Sequence, residues 1–189
     1  MGENFFHNEK DLKKMGVNCG KNCKIHCSVI ITHPKNLFIS SNVRIDSFTT
    51  IVNPNKVKIE NFVHIGSHAL LHAGSRSIEL KDHAGVSSGV KIFTHTDDYT
   101  GNYYYGPYNK KKNSGNSKKI TLKKYCILGT NCVVTPNAEF GEGSVAGAQT
   151  LVNIKLKDWT IYQGFPLRGY FKRKKKFLKN LKRSLNDFV

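Results

Sequence analysis

Of the eight histidines in this 189-residue chain, His95 is the one placed for chemistry. It opens the run His95-Thr96-Asp97-Asp98-Tyr99, at the head of a stretch rich in glycine, asparagine and tyrosine. An imidazole with an ordinary pKa near ~6.5 takes up and returns a proton at neutral pH. Asp97 and Asp98 follow within three residues and can orient that ring or hold hydroxyl groups of a ligand. What gives a loop histidine a fixed position is the frame it hangs from, and here that frame is legible.

The frame is a repeat of six. In the stretch from Leu122 to Val152, apolar side chains recur at Leu122, Leu128, Val134, Phe140, Ala146 and Val152. Four residues after each of the first five stands a small residue: Cys126, Cys132, Ala138, Ser144 and Thr150. A helix repeats near ~3.6 and a half-buried strand at ~2, so neither explains a strict six. Short strands stacked coil upon coil in a parallel β-helix do. The same spacing runs upstream through Cys19, Ile25 and Ile31; Ile39, Ile45 and Ile51; Ile59, Ile65 and Leu71; and Leu80, Val86 and Ile92. All eighteen positions predicted to point inward are apolar, in a chain only 39% hydrophobic. The phase slips by two, two, three and twenty-four residues, always after every third hexad and therefore at one corner of a triangular coil.

The expected fold is all-β: a parallel β-helix of about six triangular coils. A capping helix over 1–16 precedes it, with Phe5, Leu12 and Met15 toward the first coil and Gly16 ending the helix. The coils span 17–157, interrupted by a loop insertion at 94–119. An extension over 158–189 follows, with a basic amphipathic helix from Tyr170 to Phe188 that caps the last coil. Such a helix can also lie on an anionic membrane surface. An insertion of that length is usually functional or disordered. Its tyrosine-rich first half reads as a binding loop, and its second half, KKKNSGNSKK, as a mobile one.

Over about residues 17–170 these hexads resemble the left-handed β-helix, hexapeptide-repeat acyltransferases. The left-handed sense comes from the resemblance, since ordinary parallel crossovers are right-handed. The segment from Ser87 through His95 to Tyr99 resembles the site region of members that act on sugars, where a histidine at the root of this loop is the base. The resemblance therefore implies His95 as general base and His72, Asp97, Asp98 and Tyr99 as substrate contacts. His72 follows Leu71 at the same corner one coil earlier, beside Phe93. His64, His68 and His83 fall on outward positions and read as surface or subunit-contact residues.

The resemblance also implies acetyl-CoA as acyl donor, a homotrimer, and a pantetheine arm lying between subunits against the backbone after the glycine of a hexad. In this chain that maps onto Gly129-Thr130 and Gly147-Ala148. Where the family has Thr-Lys after the last hexad, this chain has Asn153-Ile154 and then Lys155. Lys155, Arg168, Lys172 and Arg173 are the substitutes for phosphate contacts, and Pro166, in a Gly164-Phe165-Pro166 that resembles the family's Gly-Val-Pro, packs on adenine.

Charge and cysteine usage agree with this reading. The formal net charge is +17, and eighteen of the thirty Lys and Arg residues lie in two stretches, Lys110–Lys124 and Lys155–Arg183. Such a field attracts phosphorylated small molecules. No nucleic-acid reading module accompanies it, so nucleic acid is excluded as a partner. Cys19, Cys23, Cys126 and Cys132 occupy inward positions as small hydrophobes. Unpaired thiols, no apolar leader and no apolar run of membrane length point to the cytoplasm. A zinc site needs converging ligands, and the clustered histidines fall at different corners, so no metal is expected. The activity expected is acetyl transfer to a sugar, first to the amino group of a nucleotide-linked amino sugar in surface-polysaccharide synthesis. Its alternatives are O-acetylation of a free sugar or polysaccharide, and a β-helix binding protein without catalysis.

Overall fold

The structure is a computed structural model and describes residues 5–97, 115–164, 166–175 and 177–178. Each hexad becomes a strand of two or three residues, too short to stand alone. What makes them stable is stacking, each strand pairing in parallel with its counterpart one coil above and below.

Three faces result. The first is built from Asn18–Cys19, Leu37–Ile39, Val57–Ile59, Ile78–Leu80 and Ile120–Leu122, with Glu139–Phe140 and Lys155–Leu156 continuing it as a separate pair. The second runs from Lys24–His26 through Arg44–Ile45, His64–Ile65, Gly85–Val86, Ile127–Leu128 and Val145–Ala146 to Thr160–Gln163. The third stacks Ile30–Ile31, Thr50–Val52, Leu70–His72, Lys91–Phe93, Val133–Val134 and Leu151–Val152. Sixteen of the eighteen expected inward residues are buried; Cys19 and Ile31, in the first coil, are only partly covered. The register places Ile25, Ile45, Ile65, Val86, Leu128 and Ala146 in one column. A seventh, partial coil follows, with Phe140 beside Leu156 and Ala146 beside Tyr162. Leu156 follows Val152 by a step of only four positions, a slip in the opposite sense, and a fixed period of six does not see it.

The corners explain why the sequence turns where it does. Asn42, Phe62, His83, Tyr125 and Trp159 share one corner, and Phe48, His68, Asn131 and Gln149 another; all have φ between 51° and 62°. That left-handed conformation costs a non-glycine residue ~1–2 kcal/mol. Ring stacking offsets part of it. Phe62 lies flat on His83 at 4.8 Å, His83 on Tyr125 at 5.3 Å, and Phe48 on His68 at 5.1 Å. The third corner, where the expected slips fall, holds the insertion.

Both ends differ in part from the sequence reading. The N-terminal helix covers Glu9–Lys14, with Asn8 Oδ1 accepting the Asp11 amide and Gly16, at φ 81°, closing it. Leu12 is buried as expected, but Phe5 and Met15 are exposed, because residues Phe6–His7 are a strand antiparallel to Lys24–His26 rather than part of the helix. At the other end Arg168–Lys172 is a strand, not the start of a helix. It folds back antiparallel onto Thr160–Gln163. The final coil would otherwise leave a strand edge unpaired there, and a turn through Gly164 and Pro166 lets the following Tyr-Phe segment close it. Phe177 and Leu178 are helical, and residues 179–189 of the expected helix lie outside the described residues. Among the described residues no helix is long and apolar enough to cross a membrane.

Candidate active site

The insertion leaves the stack from the third face of the fourth coil. Strand Lys91–Phe93 pairs in register with Leu70–His72, which puts His72 beside Phe93 with ring centroids 5.9 Å apart. Thr94 then turns inward and is fully buried. Its Oγ1 donates to the His72 carbonyl at 3.2 Å and accepts the Arg76 amide at 3.3 Å, tying the two coils together under the site. The sequence reading passed over Thr94. The signal was there: the residue two past the inward position on this face is buried in three successive coils, as Asn53, Ala73 and Thr94.

His95 comes next, at a paired neck. It bridges antiparallel to Ser117 on the returning chain, while the Thr96 amide donates to Asn116 and the Lys118 amide to Thr94, both at 3.0 Å. The main chain at His95 is therefore held from both sides of the insertion. Its side chain is 31% exposed, and Nε2 lies 3.7 Å from Asp97 Oδ1. That is close enough for a carboxylate to stabilise an imidazolium, though longer than a hydrogen bond. Among the described residues the Nδ1 atoms of both His95 and His72 are buried without a hydrogen-bond partner. An unmet buried polar atom costs ~1–3 kcal/mol, and native structures tolerate such atoms chiefly where a ligand, water or partner completes the site. Asp98 and Tyr99 lie outside the described residues. The outward histidines are otherwise engaged: His64 with Asp46 at 2.7 Å, and His68 and His83 in the corner stacks.

The residues expected to hold the acyl donor fall into separate groups on the single chain. Gly129-Thr130 and Gly147-Ala148 stand at the edge of the second face in adjacent coils. The glycine amides are spent on the ladder, to Ala146 at 2.8 Å and Tyr162 at 2.7 Å. Among the described residues the Thr130 and Ala148 amides donate to no carbonyl. A Cβ at position 129 would sit 2.6 Å from the Ala148 nitrogen, so only glycine leaves that amide approachable. Lys155 stands on the first face, 3.7 Å from Glu139. Arg168, Pro166 and Lys172 belong to the closing hairpin, where Lys172 lines a cavity of about 410 Å3 with Lys157, Thr160 and Tyr162. Arg173 turns the other way. Its Nη1 donates to the carbonyls of Tyr125 and Gly143, the latter at 3.0 Å, and the guanidinium lies 5.0 Å from the Phe177 ring centre. Burial pulls its pKa down from the usual guanidinium value.

A three-faced β-solenoid with a single long insertion at one corner defines a class of coiled β-proteins. Comparison with known proteins narrows it. No protein-family model matches the chain. AntD, an N-acyltransferase from Bacillus cereus in complex with dTDP and 3-hydroxybutyryl-CoA, superimposes with a TM-score of 0.90 at 34% identity, covering 98% of each chain. A dTDP-4-amino-4,6-dideoxy-D-glucose acyltransferase from Escherichia coli is 29% identical over 173 residues, 90% of both chains. A maltose O-acetyltransferase from Clostridium difficile 630 shares the fold alone, with a TM-score of 0.54 at 18% identity over 88% of this chain and 75% of its own. The chain belongs to the hexapeptide-repeat family of sugar acyltransferases.

Proposed function

We propose that this protein transfers an acyl group, acetyl first among the candidates, from coenzyme A to the amino group of a nucleotide-linked amino sugar. The observation that carries the reading is His95: a half-exposed imidazole, on main chain held from both sides at the mouth of the insertion, with Asp97 beside it. The kinds of ligand named for AntD and the Escherichia coli relative support the sugar-nucleotide and acyl-CoA halves of the reaction.

The acceptor's amine attacks the thioester carbonyl, and the C–N bond forms as the carbonyl oxygen takes negative charge, held by a backbone amide along the groove. The ammonium proton passes to His95. Nδ1 is buried, so the proton enters at Nε2, the nitrogen 3.7 Å from the Asp97 carboxylate. The C–S bond then breaks, and the departing thiolate takes a proton to leave as free coenzyme A. His72, Asp98 and Tyr99 position the sugar. The pantetheine amides meet the open Thr130 and Ala148 amides beside Gly129 and Gly147, and Lys155, Pro166, Arg168 and Lys172 serve the nucleotide end, while Arg173 is held by the Tyr125 and Gly143 carbonyls.

The active unit is a homotrimer of left-handed coils. Outward apolar side chains on the third face support contact between copies there: Ile30 is 59% exposed, and Leu70, Val133 and Leu151 share that face. The product, an acylated nucleotide sugar made in the cytoplasm, supplies surface-polysaccharide assembly. Incubating the purified protein with a panel of amino-sugar nucleotides and acetyl- or 3-hydroxybutyryl-CoA, and following thiol release, tests this directly. Release with a 4-amino sugar nucleotide but not with its hydroxyl counterpart is the expected result. Release with the hydroxyl sugar alone would make the enzyme an O-acyltransferase, and release with neither would sink the proposal.

A further inference from the structure

A groove of about 620 Å3 opens on the outer side of the first face, across the fifth to seventh coils, and contains neither His72 nor His95. Lys118, Lys119, Lys123, Lys155 and Lys157 line it, against two acids, Glu139 and Asp158. Both acids are already occupied. Glu139 binds Lys118 at 2.5 Å and stands 3.7 Å from Lys155, and Asp158 Oδ1 accepts the Glu142 amide at 2.8 Å. Lys119 pairs with Glu79 at 2.8 Å. Among the described residues, Lys123 and Lys157 have no ion-pair partner.

These two lysines occupy the same outward lane, with Gly141 on the coil between them. Their α-carbons are therefore about two strand spacings apart, ~9.6 Å, a gap their long side chains can close. Gly141 leaves the lane bare: a Cβ there would come within 2.4 Å of the Asp158 nitrogen. Two unneutralised ammonium groups facing each other across a side-chain-free rung can grip a group with several anionic oxygens spread over more than one centre. One end of the groove is lined by Lys118, which directly follows Ser117, the residue bridged to His95.

We infer that the Lys123–Gly141–Lys157 lane is a diphosphate site, receiving the diphosphate of one of the two nucleotide substrates; this rests on the reading above that both substrates carry one. The sugar nucleotide and coenzyme A share that chemistry, and kinetics tells them apart. In Lys123→Ala/Lys157→Ala the Michaelis constant of one substrate should rise at least tenfold, with kcat within about threefold of the parent. Inorganic pyrophosphate should inhibit the parent competitively and the variant at least tenfold more weakly, with the difference shrinking as potassium chloride rises. Lys58→Ala, on the same face two coils below, is the control and should change neither.

A rise for the sugar nucleotide alone assigns the site to the acceptor. A rise for acyl-CoA that is absent with an acyl-pantetheine assigns it to the donor. Unchanged constants for both substrates, in a variant that keeps the parent's melting temperature, would overturn the site while leaving acyl transfer intact. Calorimetric titration with thymidine diphosphate and with coenzyme A needs no turnover. It therefore still tests the lane should the functional reading fail, and equal affinities in parent and double variant for both probes would overturn the site.

Discussion

His72 and His95 stand at the same corner of the solenoid in successive coils, and each buries an Nδ1 atom with no hydrogen-bond partner among the described residues. Two unmet imidazole nitrogens so close in the fold are an expense that a purely structural corner would avoid. The coils below show how such a corner is ordinarily closed. There Asn53 is buried too, but its side chain donates to the His33 carbonyl at 2.8 Å and accepts the His33 amide at 3.0 Å.

His95→Ala should lower turnover by roughly a hundredfold or more, the usual scale for loss of a general base. The Michaelis constant for acyl-CoA and the melting temperature should stay near those of the parent. If turnover remains within a few-fold, His72→Ala becomes the variant to make.

Val134 is fully buried and its neighbour Thr135 is half-exposed, so one pair of variants checks the inward phase of the repeat. Val134→Asp strands a charge between coils and should cost about 3 kcal/mol or more. Thr135→Asp should cost no more than about 1 kcal/mol. Urea melts of both would read the difference, and equal losses would contradict the packing.

Arg173 joins the closing hairpin to the first corner through the carbonyls of Tyr125 and Gly143, beside Trp159, the single tryptophan of the chain. Arg173→Ala should destabilise by about 1–3 kcal/mol, the range for bonds with a charged donor, and change the tryptophan emission. A raised Michaelis constant for acyl-CoA with unaltered emission and melting would instead place this guanidinium on the donor's phosphates.

Acid should weaken the first face. A hydrogen bond from Lys119 is the main reason the Glu79 carboxyl stays below its ordinary range, with Lys81 adding to it against the opposing effect of burial. A depressed carboxyl favours the folded state fully above its unfolded pKa, near ~4.3, and that advantage is lost as pH falls through the folded value. Glu79→Gln should thus melt below the parent at pH 7, with the gap closing when both are measured near pH 3. A gap that persists in acid would mean the ion pairs contribute nothing.

The solenoid was legible because burial imposes one rule on every coil: Ile45, Ile65 and Val86 must all be apolar to fill the same column. The insertion that begins beside His95 was legible because it is the one long break in that rule. Thr94 was not, since a buried hydroxyl reads as an ordinary surface residue until its partners, the His72 carbonyl and the Arg76 amide, are seen. The closing strand Arg168–Lys172 was missed for a different reason. Its Tyr-Phe pair suits either a helix face or a strand, and only the unpaired edge of Thr160–Gln163 decides between them. The lane of Lys123 and Lys157 was hidden by linear distance: thirty-four positions separate residues that the coil brings two rungs apart.

The antiparallel bridge between His95 and Ser117 ties the two ends of the insertion together at its base. The insertion has two paired feet, and the register of Ile92 against Val134 is set by strand pairing across it. A segment of another length or composition can be spliced between those feet without re-threading the core. Change within the insertion can therefore leave the coils, and the place of His95 on them, as they are.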